Sequence, residues 1–129
     1  MRVPLRVGAV VLVPLCAWVL GACGGGKRSS YKQPAGAAIG TITIQAGNLF
    51  FKPDKLTVDR PGIYDVELKN TQSGAHTLVF DDVKGFELEV TGDGSTDAKK
   101  VDLTAGTHKF HCTIPGHAAA GMKGTLTVR

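Results

Sequence analysis

From Ile39 to the C-terminus, apolar and polar residues alternate one by one in short stretches that are separated by turn-forming residues. In a strand, successive side chains point to opposite faces, so this period of two predicts strands with one buried face. The clearest stretches are TITI (41–44), LTV (56–58), IYDVEL (63–68), HTLVF (76–80), FELEV (86–90), KVDL (100–103) and TLTV (125–128). Turns containing Pro or Gly separate most of them. The pattern predicts an all-β Greek-key sandwich of seven to eight strands.

The first 23 residues have the features of an export signal. Arg2 and Arg6 precede an apolar run, Val7 to Leu20, which is shorter than the roughly 20 residues of a membrane-spanning helix. The run leads into Leu-Gly-Ala-Cys23, which resembles the bacterial lipobox, where the cysteine becomes the new N-terminus and is acylated. We therefore predict a lipoprotein signal peptide at 1–22 and lipidation at Cys23. The alternative is an ordinary secretory signal with a coincidental cysteine.

Residues 23–38 are rich in Gly, Ser, Lys and Pro, a composition that predicts a lipidated flexible tether before a domain at 39–129. The net charge of +4 belongs to the N-terminal part, since residues 39–129 carry 10 basic and 11 acidic side chains. A basic tail beside a lipid anchor favours an anionic membrane surface. The chain lacks a basic run interleaved with aromatic residues, so we expect no nucleic-acid partner.

Cysteine usage leaves a single thiol in the predicted domain. Cys16 lies inside the signal and Cys23 is the expected lipidation site, so Cys112 has no partner for an intramolecular disulfide. Exported proteins often meet an oxidising environment, in which a free thiol needs protection. A bound metal ion would provide that protection and give the thiolate a function.

Cys112, His117 and Met122 recur at five-residue intervals in a loop between two predicted strands. A soft thiolate and thioether together with imidazole favour copper over calcium or magnesium. Zinc is the main rival, but its sites use Cys, His and carboxylate without a thioether. A fourth ligand must come from elsewhere, and His76, which opens a strand after a polar loop, is the best candidate. Two His, one Cys and a weak axial Met form the copper set of electron-transfer sites.

The same residues carry a resemblance to a known family. The stretch Cys112-Thr-Ile-Pro-Gly-His117 and the strand after Met122 resemble the copper loop and last strand of azurin. Residues 53–80 are closer to the plastocyanin pattern, and the five-residue step from His117 to Met122 is similar to auracyanin and rusticyanin. Residues 49–129 therefore resemble a cupredoxin, a type 1 blue copper protein. The resemblance implies one copper ion bound by His76, Cys112, His117 and Met122.

The residue after the first ligand departs from the family pattern. Azurin and plastocyanin usually have Asn there, whose side-chain hydrogen bonds tie the two ligand loops together, whereas this chain has Thr77. This departure puts those side-chain bonds in doubt, and the family arrangement implies that the Thr77 backbone N–H donates to the Cys112 sulfur. Alternation in the strand before Cys112 predicts that His111 faces outward and that His108 is partly buried. We expect neither to bind the metal.

The segment from Thr113 to Met122 carries no charge. Its small or apolar members around His117 predict a surface for brief docking of redox proteins, Pro115, Gly116, Ala118, Ala119 and Ala120. We expect a monomeric single-electron carrier, not an enzyme, that exchanges electrons with a protein donor and a protein acceptor. It would be exported and lipid-anchored to the outer face of the cell membrane, or to a membrane facing the periplasm.

Other functions fit less well. A copper-trafficking protein without an electron-transfer role is the main alternative, but delivery sites are rich in Met and His, and this chain has only Met1 and Met122. A domain of a copper nitrite reductase would need further histidines for a second copper site. A CuA centre would need two bridging cysteines.

Overall fold

The computed structural model describes residues 30–129, which form nine β-strands and no α-helix. The strands are β1 (Gly40–Gly47), β2 (Phe50–Lys52), β3 (Lys55–Val58), β4 (Gly62–Asn70), β5 (Ala75–Phe80), β6 (Leu88–Thr91), β7 (Thr96–Leu103), β8 (Gly106–His111) and β9 (Lys123–Val128). The predicted all-β class is confirmed. The strand that the sequence did not indicate is β2, because its three residues are too few to show alternation.

The strands form two sheets, in the orders β2-β1-β4-β7 and β3-β9-β8-β5-β6. Two pairs are parallel: β1 with β4, where Gly40 lies opposite Tyr64, and β3 with β9, where Lys55 lies opposite Thr125. The remaining pairs are antiparallel. Parallel neighbours cannot be joined by a tight hairpin, so the chain passes from one sheet to the other between them.

The inward-facing positions of both sheets supply the apolar core. Phe110 packs against Phe51 and Phe80, with ring centroids 5.5 and 6.0 Å apart. A Cβ atom at Gly124 would overlap the Phe110 ring and the Asp54 carbonyl, so glycine permits this close approach. Each fully buried large apolar side chain contributes about 1.5–3 kcal/mol. The core thereby fixes the strand ends that carry the candidate metal site.

Residues 30–38, part of the predicted tether, pack on the sandwich, and we call them the N-terminal clasp. The Tyr31 ring meets Phe86 edge-on at 5.2 Å, and its hydroxyl donates to the Lys100 carbonyl at 3.0 Å. The Gln33 side chain accepts from the Lys100 N–H, and Lys100 Nζ donates to the Gly36 carbonyl, both at 2.8 Å. The clasp thus covers part of β7, an edge strand.

The predicted signal peptide and Cys23 lie outside the described residues. Within residues 30–129 no helix is long and apolar enough to cross a membrane.

Candidate metal centre

The pairing of β5 with β8 brings two predicted ligands to one end of the sandwich. Val79 lies opposite His111 and Phe80 opposite Phe110 in this antiparallel pair. Because the strands run in opposite directions, the start of β5, with His76, and the residue after β8, Cys112, are neighbours. The loop that follows Cys112 then returns to β9 over the same end.

Three of the predicted ligands converge there. One ligand atom from each of His76, Cys112 and His117 lies within 4.8 Å of the others. The Cys112 sulfur is 3.5 Å from His117 Nδ1, and the two imidazole rings are 5.3 Å apart at their centroids. Cys112 and His76 are buried, with 1% and 4% of their surface exposed. His117 is half-buried, so one ligand of the cluster reaches the surface.

The chemistry of the cluster fits a copper ion. His76 Nδ1 is the one buried side-chain nitrogen or oxygen among residues 30–129 without a hydrogen-bond partner. Such an unpaired buried group costs about 1–3 kcal/mol, which a metal bound to its lone pair would offset. Burial, and to a smaller extent the neighbouring His117, lower the pKa of His76. A lower pKa favours the neutral imidazole, which is the form that binds metal.

Met122 closes the loop. Its N–H donates to the His117 carbonyl at 3.0 Å, and its carbonyl accepts from the Cys112 N–H at 3.1 Å. The side chain is fully buried within the apolar core cluster. These contacts place Met122 directly across from Cys112 in the backbone, and its role as a thioether ligand stays a prediction.

The loop is compact because its turns are hydrogen-bonded internally. The His117 N–H donates to the Ile114 carbonyl and the Ala120 N–H to the Gly116 carbonyl, both at 3.0 Å. Gly116 and Gly121 have φ angles of 86° and 111°, a left-handed region that favours glycine. These bonds hold the backbone of His117 in place.

The side chain of Thr77 ties the two ligand segments together, although it is not the Asn of the family pattern. Its hydroxyl lies 3.6 Å from the Cys112 sulfur and accepts the Thr113 N–H at 2.8 Å. The Thr113 hydroxyl is 2.7 Å away. If that hydroxyl donates to Thr77, the Thr77 proton is free to point at the sulfur. The side chain reaches both residues because β5 and the segment after β8 run side by side.

The loop before His76 is held by residues that the sequence analysis did not single out. Asn70 is fully buried, and its amide donates to the carbonyls of Gly74 and Gly92, both at 2.9 Å. Gln72 Oε1 accepts the Asn48 N–H at 2.8 Å. The available signal was an Asn at a strand end, before a turn rich in Ser and Gly.

The predicted docking residues surround His117 at the surface, and we call them the loop surface. Ala118 is half-buried, and the others are exposed, namely Pro115, Gly116, Ala119 and Ala120. Leu49 has a φ angle of 63°, is 38% exposed, and lines a surface depression together with His76, Ile114 and His117. The loop surface is apolar, whereas this depression also has the polar side chains of Asn48, Gln72 and Ser73 in its lining.

The remaining histidines have other partners. His111 Nδ1 lies 2.8 Å from an Asp81 carboxylate oxygen, and the side chain is 38% exposed, so the predicted outward orientation is confirmed. His108 is more buried than expected, with 5% of its surface exposed. Its two ring nitrogens lie 2.6 Å from Asp82 Oδ2 and 2.8 Å from the Thr104 carbonyl.

Comparison with known proteins gives matches over the described domain. The family model described as copper binding proteins, plastocyanin/azurin family, matches residues 38–129. Plastocyanin of Daucus carota is 36% identical over 91 residues, which cover 64% of this chain and 90% of the plastocyanin. Auracyanin-A of Chloroflexus aurantiacus is 26% identical over 164 aligned positions, which cover 99% of both chains.

Solved structures agree with these matches. The dithionite-reduced auracyanin of Roseiflexus castenholzii superimposes with a TM-score of 0.60 and 27% identity, over 72% of this chain and 99% of the auracyanin. A mutant fern plastocyanin, determined in oxidised and reduced forms, gives a TM-score of 0.55 and 30% identity, over 68% of this chain and all of the plastocyanin.

Proposed function

Because this chain belongs to the plastocyanin/azurin family of copper-binding proteins, we propose that it carries single electrons between redox proteins. The observation that carries this proposal is the convergence of a buried thiol and two imidazoles within 4.8 Å. A copper ion bound there would supply one-electron chemistry by alternating between Cu(I) and Cu(II). The oxidised and reduced forms of the related fern plastocyanin are consistent with that use.

We propose His76, Cys112 and His117 as the strong ligands and Met122 as a weak axial ligand. His76 is fixed by β5, and His117 is fixed by the turns of the loop, so the fold itself positions both donors. A preorganised site changes little between oxidation states, which favours fast electron transfer. His117 is half-buried beside the loop surface, which makes its ring the shortest route to a docked partner.

Burial of the cluster supports electron transfer over copper delivery. Cys112 and His76 are nearly inaccessible, whereas a delivery site must expose its metal to the recipient's ligands. Among residues 30–129, one group of three such ligands converges. A reductase would need a second metal site where substrate binds, so we propose a carrier without enzymatic activity.

We further propose the N-terminal arrangement that the sequence predicts: a signal peptide at 1–22, acylation of Cys23, and a domain outside the cytoplasmic membrane. The match to auracyanin-A supports an N-terminal region ahead of the domain, because it covers 99% of both chains. The likeness to cupredoxins does not depend on this arrangement.

The visible absorption spectrum tests the carrier proposal. Wild-type protein loaded with Cu(II) should show an intense charge-transfer band from the Cys112 thiolate, and Cys112→Ser should lose it while circular dichroism still reports the β-fold. His111→Gln is the matched control. The His111 side chain is next to Cys112 in the chain but points away from the cluster, so this variant should keep the band. A wild-type protein that binds copper and stays nearly colourless would contradict a type 1 site.

A further inference from the structure

A surface depression of about 770 Å³ lies beside the copper-binding loop. Ala118, Ala119 and Gly121 line one side of it, and residues of β3, β8 and β9 line the other. Ala118 and Ala119 therefore belong both to the loop surface and to a depression that extends onto the outer face of this sheet.

Three lysines project from that face at neighbouring positions. Thr125 on β9 lies opposite Lys55 on β3 and also opposite Lys109 on β8, and Lys123 lies opposite His111. All three lysines are exposed, and none has a carboxylate within ion-pair distance among the described residues. We call this surface, the outer side of β3, β9 and β8 around the three lysines, the basic face.

Carboxylates are few on the basic face. The outward positions of its strands hold lysine, threonine and histidine, namely Lys55, Thr57, Thr107, Lys109, His111, Lys123, Thr125 and Thr127. Asp54 and Asp81 also line the depression, and Asp81 is paired with His111. On the other sheet, the alternating outward positions of β4 include Asp65 and Glu67. The domain is nearly neutral, and three of the ten basic side chains of residues 39–129 lie together on this face beside the copper loop.

We propose that the basic face and the loop surface together form the docking site for a redox partner protein with an acidic surface. This inference rests on the proposed electron-carrier function and specifies the chemistry of the partner. Unpaired lysines around an uncharged centre steer an acidic protein toward the site, while the apolar centre allows close approach. A partner seated there would lie against the loop that holds His117.

The position of the N-terminal clasp argues against a membrane as the occupant. Ser30 and Tyr31 lie beside Gly85, in the connection that leads into β6. β6 forms one edge of the five-stranded sheet and β3 forms the other. A chain anchored through its N-terminus thus leaves the domain on the side of β6, and the basic face stays accessible to soluble domains of other proteins.

Stopped-flow reduction of the copper-loaded full-length protein tests the proposal. The probe is ferrous cytochrome c with succinylated lysines, which is acidic; its Fe(II) gives one electron to Cu(II), yielding Fe(III) and Cu(I). At low ionic strength, Lys55→Glu and Lys109→Glu should each lower the second-order rate constant by roughly threefold or more. Lys69→Glu, on the other sheet, is the control and should change it by less than about twofold.

Unmodified cytochrome c, which is basic, should show the opposite trend, with faster reduction of the Lys109→Glu protein. The basic face is excluded as a docking site if both lysine variants react like wild type, or if Lys69→Glu slows the reaction equally. If Lys109→Glu instead releases the Cys23→Ala protein from phosphatidylglycerol vesicles without changing the rates, the face binds membrane. If neither cytochrome reduces the copper of a blue wild-type protein, the carrier function itself fails.

Discussion

The Thr77 hydroxyl lies 3.6 Å from the Cys112 sulfur, within hydrogen-bonding distance of it. A hydrogen bond to a thiolate withdraws charge from the sulfur and thereby favours reduced copper over oxidised copper. Thr77→Val keeps the shape of the side chain and removes the donor, so the reduction potential should fall by several tens of millivolts. Voltammetry of the copper-loaded protein measures it.

Thr77→Ser is the matched control, because it keeps the hydroxyl. Its potential should stay close to that of the wild type. If the Val and Ser variants have the same potential, the hydroxyl does not donate to the metal-bound sulfur and points only to Thr113.

For individual residues, residue type and spacing were enough to predict which side chains form the cluster. A lone thiol, a five-residue step and a remote histidine predicted Cys112, His117 and His76, which the fold brings together. The role of Thr77 was not predictable, because it depends on the register between β5 and the segment after β8. A short hydroxyl side chain contacts both Cys112 and Thr113 only when those residues lie directly opposite it.

Among the structural elements, the N-terminal clasp makes contacts with the domain that its linker-like composition did not indicate. Tyr31 packs on Phe86 and bonds to Lys100, thereby joining the edge strand β7 to the connection before β6. Tyr31→Ala should lower the free energy of unfolding by about 2–3 kcal/mol, since it removes a large, partly buried ring. Tyr31→Phe keeps the ring and should cost only about 0.5–1.5 kcal/mol. Urea denaturation of the copper-free protein measures both values.

The visible band of the copper-loaded Tyr31 variants should match that of the wild type, because the clasp does not touch the cluster. Equal stabilities for the Ala variant and the wild type would mean that residues 30–38 only rest on the domain. A segment of Gly, Ser, Lys and Pro resembles a linker in composition, and only its contacts with Phe86 and Lys100 distinguish it.

Strand prediction succeeded where alternation spanned three or more residues with clear turns between them. It missed β2, which is stabilised by pairing with β1 and not by a pattern of its own. The parallel pairing of β1 with β4 and of β3 with β9 was also not predictable from alternation. Period two indicates which face is buried, whereas the choice of neighbour depends on packing between residues distant in the chain.

For the whole molecule, the proposed anchor at Cys23 determines where the carrier works. Cys23→Ala should move the protein from the membrane fraction to the soluble extracytoplasmic fraction, because no acyl chain can be attached at that position. From Cys23 to Ser30, where the clasp begins, the chain spans at most about 25 Å. Cell fractionation with immunoblotting provides the measurement, and Ser29→Ala serves as the control. Membrane retention of Cys23→Ala as firm as that of wild type would rule out the lipid anchor.

The loop surface determines how two copies of the protein exchange electrons with each other. No charge lies between Thr113 and Met122, and Ala119 is exposed near His117 without being a ligand. Ala119→Glu places a charge that must be desolvated when two loop surfaces meet, at a cost on the order of 1–2 kcal/mol. The self-exchange rate, measured by NMR line broadening in mixtures of Cu(I) and Cu(II) protein, should therefore fall by about tenfold. Ala119→Ser adds a small polar group without charge, and its self-exchange rate should remain within about threefold of that of the wild type.

Both Ala119 variants should keep the absorption band and potential of the wild type, since neither alters a ligand. If Ala119→Glu exchanges electrons at the wild-type rate while His111→Gln slows the exchange, electrons leave through the flank near His111 and not through the edge of His117.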